Sequence, residues 1–260
     1  MNRIHPTAIV DKKAKLADDV EVGPYAIIGP NVELGKGTVV GPRVNIEGYT
    51  IIGEGNRVFT GAIIGSPPQD LKYKGQKSFL KIGNNNTIRE YSTMNPGTEE
   101  GTATRIGDGN LFMAYSHVAH DCKIGNSCVI ANIGTLAGHV TLEDRVVLGG
   151  LAAIHQFTRV GKMSIIGGCS KVVQDIPPFS TCDGNPARVY GLNLIGVRRA
   201  GMPQKAQAEL KKAFKILFHS KLALKNAVAK VKKEIPSIEE VEYLLNFLKD
   251  SERGICRGGK

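Results

Sequence analysis

An apolar residue recurs at every sixth position of this chain, and no other feature limits its fold so tightly. The series runs Ile4, Val10, Leu16, Val22, Ile28, Leu34, Val40, Ile46, Ile52, Val58 and Ile64, resumes at Ile82, Ile88 and Met94, and then continues without a break from Ile106 to Val172. Glycine often follows, as at Gly23, Gly29, Gly41, Gly125, Gly149 and Gly167. A period of six fits neither an amphipathic helix nor a strand with alternating faces. It is the signature of a hexapeptide parallel β-helix, in which each unit supplies one short strand and one tight turn and three units close a triangular coil. Branched side chains stack inward on the pleated strands. Each coil hydrogen-bonds to the next, so unpaired edges are confined to the two ends.

The fold class expected is therefore an all-β parallel β-helix followed by a small α-helical C-terminal domain. Residues 1–187 are read as the solenoid, with loops inserted near 66–81 and 95–105, and residues 188–260 as a connector and a basic helical domain. The first insertion keeps the repeat in phase on both sides, and a loop that leaves a rigid body without disturbing its register is a common carrier of function. The second is rich in Gly, Thr and Glu and is assigned no chemistry. Two prolines in Asp175-Ile176-Pro177-Pro178 stop strand pairing, Phe179 to Asn193 reads as a connector, and helices are expected over 204–219, 221–234 and 238–250. The last is given a capping box, Ser237-Ile238-Glu239-Glu240. Phe214, Leu217 and Phe218 share one helical stripe, as do Val241, Leu244, Leu245 and Leu248.

Charge is uneven along the chain. From Arg198 to Lys260 there are 15 Lys and Arg against 7 Asp and Glu, so this tail carries most of the formal net charge of +10. Such a module suits an acidic partner. Without Trp or aromatics interleaved among the basic residues, a nucleic-acid platform is not expected. No apolar run is long enough for a transmembrane helix, and the repeat begins at Ile4, leaving no room for a signal peptide. Five cysteines with no CxxC pair fit reduced thiols and a cytoplasmic location.

The chemistry gathers in Ser116-His117-Val118-Ala119-His120-Asp121-Cys122. Residues 18 apart stack roughly 4.8 Å from each other along such a solenoid. His120, Gly138 and Gln156 then form one column, Asp121, His139 and Phe157 the next, and His155 lies beside Gln156. His120, two positions after the inward Val118, points outward near a corner. A histidine there can act as general base on a hydroxyl at neutral pH. Asp121 can orient the ring, although sequence neighbours often point apart. Gly138 offers an unshielded backbone N–H as an oxyanion donor for acyl transfer.

These residues match a known family. Gln69-Asp70-Leu71-Lys72-Tyr73, His117-x-x-His120-Asp121-Cys122, Leu136-Ala137-Gly138-His139-Val140, His155-Gln156-Phe157, Gly167-Gly168-Cys169-Ser170, Gln174-Asp175-Ile176-Pro177-Pro178, Gly184-Asn185 and Asn193 with Arg198-Arg199 occur in one order. With them the sequence resembles bacterial UDP-N-acetylglucosamine 3-O-acyltransferase, which begins lipid A synthesis, over almost its whole length. The resemblance implies a left-handed β-helix, a homotrimer, and active sites in clefts between neighbouring solenoids. It makes His120 the base toward the glucosamine 3-hydroxyl and Gly138 the oxyanion donor. It gives substrate contacts to Asp70, Lys72, His117, His139, His155 and Gln156, with Asn193 and Arg199 on the nucleotide side and Gly168 in the pocket that sets acyl length. The acyl donor, a fatty chain expected to be 3-hydroxylated although the sequence itself does not give this, rides on the phosphopantetheine of an acyl carrier protein, the acidic partner of the basic tail. No metal and no separate cofactor are implied.

The sequence departs from the family pattern at Ile195, where some members carry an acidic residue, at Asn95, where a histidine is usual, and at Pro67-Pro68. An acceptor bearing a 3-amine therefore stays open beside UDP-N-acetylglucosamine. Three other readings compete. His117, His120 and His139 could hold zinc, as in γ-class carbonic anhydrases, but the Gln69-to-Lys72 loop and basic tail would then have no use. A sister enzyme that N-acylates the 3-O-acylated glucosamine would carry a separate N-terminal domain. A purely structural solenoid would leave the polar cluster on one edge unexplained.

Overall fold

The structure, a computed structural model, describes residues 1–258. A parallel β-helix fills most of it, with three faces formed by sheets of 11, 9 and 8 strands among the described residues. Most strands are two residues long, the second pointing inward. On the second face Val118 pairs with Leu136 and Leu136 with Ile154, each 18 residues on. The inward residues from Val22 to Val172 form one buried column per face, each buried aliphatic worth about 1.5–3 kcal/mol relative to exposure.

Both insertions preserve this register. Ile64 pairs with Met94, 30 residues on, and Met94 with Val118, 24 on, so the two loops add twelve and six residues to their coils. The loops brace each other. Asn95 Nδ2 donates to the Ser66 carbonyl at 3.0 Å, the Gly101 N–H donates to the Lys77 carbonyl at 2.9 Å, and the Lys77 N–H donates to Glu100 Oε2 at 2.9 Å. Inside the enlarged coils runs a ladder of buried asparagines, in which Asn56 Oδ1 accepts from the Asn86 backbone and side chain, and Asn86 Oδ1 from those of Asn110. Periodicity in apolar residues gave no hint of it.

The connector is more ordered than expected. Ser180–Gly184 and Ala187–Leu192 form an antiparallel hairpin whose first strand extends the first face, Cys182 pairing with Ile166. Helix α1 (Leu194–Arg199) follows, then α2 (Gln204–Phe218), α3 (Leu224–Glu234) and α4 (Glu239–Lys249). Both proposed stripes are buried. The capping box does not form. Ile238 is the N-cap, without a side-chain cap bond, and Ser237 Oγ instead donates to Glu242 Oε1 at 2.8 Å.

One carboxylate fastens the helices to the solenoid. Glu143 accepts from Arg159 Nε at 2.9 Å, the Lys162 N–H at 2.8 Å and the Tyr243 hydroxyl of α4 at 2.5 Å. Arg159 also lies over the Phe247 ring at 4.4 Å and the Lys162 ammonium over Tyr243 at 3.7 Å. Burial, with Glu143 beside it, pushes the Tyr243 hydroxyl well up, so it stays a donor. Glu143→Ala leaves these donors unpartnered. It is expected to cost about 2 kcal/mol in denaturant unfolding and to make the helical domain more sensitive to limited proteolysis.

Candidate active site

The corner between the second and third faces repeats one backbone device. Asp121, His139 and Phe157 occupy it in consecutive coils, each in the left-handed region with φ of 58°, 60° and 64°. This turn is what brings the Asp121 side chain back toward its sequence neighbour. His120 Nδ1 lies 3.0 Å from Asp121 Oδ2, a contact that linear reasoning rated weak.

Asp121 is held from the other side as well. Thr98, in the second insertion, donates to its Oδ2 through both its N–H, at 3.1 Å, and its hydroxyl, at 2.7 Å. Burial alone would raise the Asp121 carboxyl, but the hydrogen bonds from Thr98 and His120, with the Thr102 hydroxyl and His139 nearby, outweigh it and hold the group below the ordinary carboxylate range. An ionised Asp121 accepts, so His120 donates from Nδ1 and leaves Nε2 bare as the proton acceptor. The His120 side chain is only 14% exposed, yet Nε2 faces the site: Asp70 Oδ2 lies 3.8 Å from it. An ideal Cβ at Gly138 would stand 2.5 Å from that nitrogen. The Gly138 N–H has no backbone partner among the described residues.

Around this imidazole lies a cleft of about 620 Å³ lined by Asp70, Lys72, Gln76, Thr98, Glu99, His120, His139, Gln156 and Phe157. The His139 ring stacks on Phe157 at 4.6 Å and meets His120 edge-on at 5.1 Å. His117 flanks the cleft on the second face, where its Nδ1 lies 2.7 Å from Thr93 Oγ1. Burial, and secondarily His120, lowers its pKa, so it stays neutral at pH 7. His155 is exposed and turns Nδ1 to the Gln156 carbonyl at 3.2 Å. Cys122 lies inward with its thiol pushed up by burial to about 12, which removes it as a nucleophile. Sequence reasoning missed Thr98, Gln76 and Glu99. Gln76 lies in the first insertion, already read as a carrier of function; for Thr98 and Glu99 the clue was the length of the second insertion.

Three expected site residues lie elsewhere on the chain. Asn193 and Arg199 line a separate cleft of about 390 Å³ with Ser127, Arg145 and Met163, at the corner between the third and first faces. Asn193 is the N-cap of α1. Its Oδ1 accepts from the Gly196 N–H and its Nδ2 donates to the Met163 carbonyl, both at 2.9 Å, leaving one N–H and one lone pair free. Gly168 sits at the third corner, beside Gly150 and Cys169. Within one chain the three parts of the expected site do not meet.

His120, Asp121 and His139 present ligand atoms within 4.8 Å of one another, so a metal has to be considered. The oxygen facing both rings, Asp121 Oδ2, already accepts from Thr98 twice and from His120. A metal would have to displace these bonds. The arrangement suits an oriented base better than a ligand set.

The chain is similar to proteins of known function over almost its whole length. A family model described as UDP N-acetylglucosamine O-acyltransferase, domain 2, matches residues 175–256, and the bacterial transferase hexapeptide model matches 103–132. The acyl-[acyl-carrier-protein]–UDP-N-acetylglucosamine O-acyltransferase of Thermodesulfovibrio yellowstonii is 54% identical, covering 99% of this chain and all of the relative, and that of Thiobacillus denitrificans 50% identical at the same coverage. The solved UDP-N-acetylglucosamine acyltransferase of Campylobacter jejuni superposes with a TM-score of 0.92 at 42% identity, covering 99% of this chain and 100% of that one. The Bacteroides fragilis structure gives 0.94 at 38% identity, covering 97% and 99%. The solenoid is thus a left-handed parallel β-helix, and with full-length identity at this level the chain belongs to the acyl-[acyl-carrier-protein]–UDP-N-acetylglucosamine O-acyltransferase family.

Proposed function

We propose that this acyltransferase moves a 3-hydroxylated fatty acyl chain from acyl carrier protein to the 3-hydroxyl of UDP-N-acetylglucosamine, the first step of lipid A synthesis, in the cytoplasm. The observation that carries the reading is His120, with Nδ1 tied to an ionised Asp121 and Nε2 bare beside Gly138. Nε2 takes the proton of the sugar hydroxyl as its oxygen attacks the thioester carbonyl. The Gly138 N–H stabilises the oxyanion. As the tetrahedral intermediate collapses, the imidazolium returns the proton to the departing phosphopantetheine sulfur. Asp70, Lys72, His139 and Gln156 line the sugar's place, with His117 and His155 at its margin. The cycle needs no cofactor beyond the carrier's own arm, and the basic helical domain suits an acidic carrier protein.

A homotrimer completes this site. In the later coils the outward residues differ by face: Leu111, Val129, Val147 and Ile165 on the first, His117, Thr135, Ala153 and Lys171 on the second, and Arg105, Lys123, Thr141 and Arg159 on the third. Between the first and second faces Tyr91, Tyr115, Ile133 and Leu151 form an exposed apolar corner, each at least 46% exposed. Packing the first face of one copy on the second face of the next buries that surface and leaves the charged face in water. It also carries the Asn193–Arg199 cleft of one copy toward the His120 corner of its neighbour, where Arg199 can grip a diphosphate with its planar fork.

Transfer of labelled acyl chains from carrier protein to UDP-N-acetylglucosamine by metal-free enzyme, across donors of different length, tests the reading. Turnover on this acceptor supports it. Turnover confined to a 3-amino UDP-sugar, or dependent on added zinc, overturns it. On the same panel Gly168→Met is expected to shift the best donor to a shorter chain by filling the acyl path, and an unchanged ranking removes Gly168 from that path.

A further inference from the structure

The second insertion points straight at the catalytic pair, although six residues of added chain have no need to be there for the solenoid to close. Its tip is rigid. Ser78 Oγ donates to the Gly97 carbonyl at 2.5 Å, Thr102 Oγ1 donates to the Glu99 carbonyl at 2.9 Å and accepts from the Glu99 N–H at 3.1 Å, and the Gly101 and Lys77 backbones tie it to the first insertion. Gly97 lets it approach: an ideal Cβ there would stand 2.8 Å from Asp121 Oδ1 and 2.3 Å from Thr102 Oγ1. Through this contact Thr98 gives both its N–H and its hydroxyl to the single carboxylate oxygen that also receives His120.

We propose that Thr98 is a positioning residue for acyl transfer, fixing the Asp121 carboxylate so that His120 keeps its proton on Nδ1 and presents Nε2 to the acceptor. This rests on His120 being the base. The hydroxyl acts in two ways. It pins the oxygen that orients the imidazole, and it draws charge from that oxygen, tempering the stabilisation Asp121 gives to the imidazolium. Without it the carboxylate is freer to turn and more basic, and the proton is held more tightly on His120. The same two bonds explain why the insertion is braced by its neighbour loop: a donor that moved could not hold its acceptor still.

The test compares Thr98→Val, which keeps shape and backbone N–H but loses the hydroxyl, with Thr98→Ser, which restores it. Steady-state rates on carrier-bound acyl donor and UDP-N-acetylglucosamine are followed against pH. Thr98→Val is expected to lower kcat about tenfold with KM for the sugar nucleotide little changed, and to move the acid limb of kcat/KM to higher pH by about half a unit or more. Thr98→Ser should restore both. A Thr98→Val enzyme with parental kcat and pH profile overturns the proposal. So does a loss that appears only as a lowered melting temperature, or one that Ser does not rescue. His120→Ala run alongside separates the two claims: if it keeps turnover, the base assignment fails, whereas an inactive His120→Ala beside an unaltered Thr98→Val refutes only the role of Thr98.

Discussion

His120→Ala is expected to lower kcat/KM about a thousandfold, the usual worth of a positioned general base, with little change in melting temperature. The separation of the two effects follows from where the residue sits. The inward column through Val118, Leu136 and Ile154 carries the packing at this level of the coil. His120 lies outside that column, and its contacts are with Asp121, His139 and the Asp70 loop. Removing the ring leaves the ladder bonds of the second face intact. The measurement is acyl transfer at saturating carrier protein together with a thermal melt. A folded variant with near-parental turnover would remove His120 as the base and direct attention to His139, whose Nε2 lies 3.8 Å from the same Asp121 oxygen.

The second large effect is expected from a single methyl group. At Gly138 an added Cβ would fall 2.4 Å from His120 Cε1 and 2.5 Å from Nε2, closer than any ordinary contact. The backbone itself does not resist the change, because Gly138 is not among the residues with positive φ. The imidazole has to yield, and Asp121 on one side and the His139 ring on the other limit where it can go. Displacing a reacting nitrogen by an ångström is worth about a hundredfold in rate. Gly138→Ala is therefore expected to lose about that much in kcat while folding normally. Its Gly138 N–H remains in place, so a normal rate in this variant would show that the base has room to adjust and that its placement is less exacting than the geometry implies.

Much of the solenoid was legible because a hexapeptide repeat is a strictly local code. Each inward Ile, Val or Leu declares its own direction, stacking fixes its neighbours 18 residues away, and insertions of twelve and six residues leave that phase undisturbed. By the same rule the column of His120, Gly138 and Gln156 could be written down before any coordinates. The hairpin after Phe179 was not legible, since its pairing with Ile165 and Ile166 falls outside the six-residue period. Nor was the asparagine ladder, because an asparagine at a buried corner reads like any turn residue until its amide is seen to meet the next.

Thus the sequence alone determined the coil, its phase and the edge on which the histidines gather, because these depend on contacts between positions at a fixed spacing. The tertiary structure decided which of those groups act together. The left-handed turn at Asp121 points two sequence neighbours at each other, and Thr98 reaches the same carboxylate oxygen from 23 residues upstream. It also decided that Asn193, Arg199 and Gly168 stand at corners away from His120. Such meetings depend on loop paths and side-chain rotation, which no spacing rule encodes.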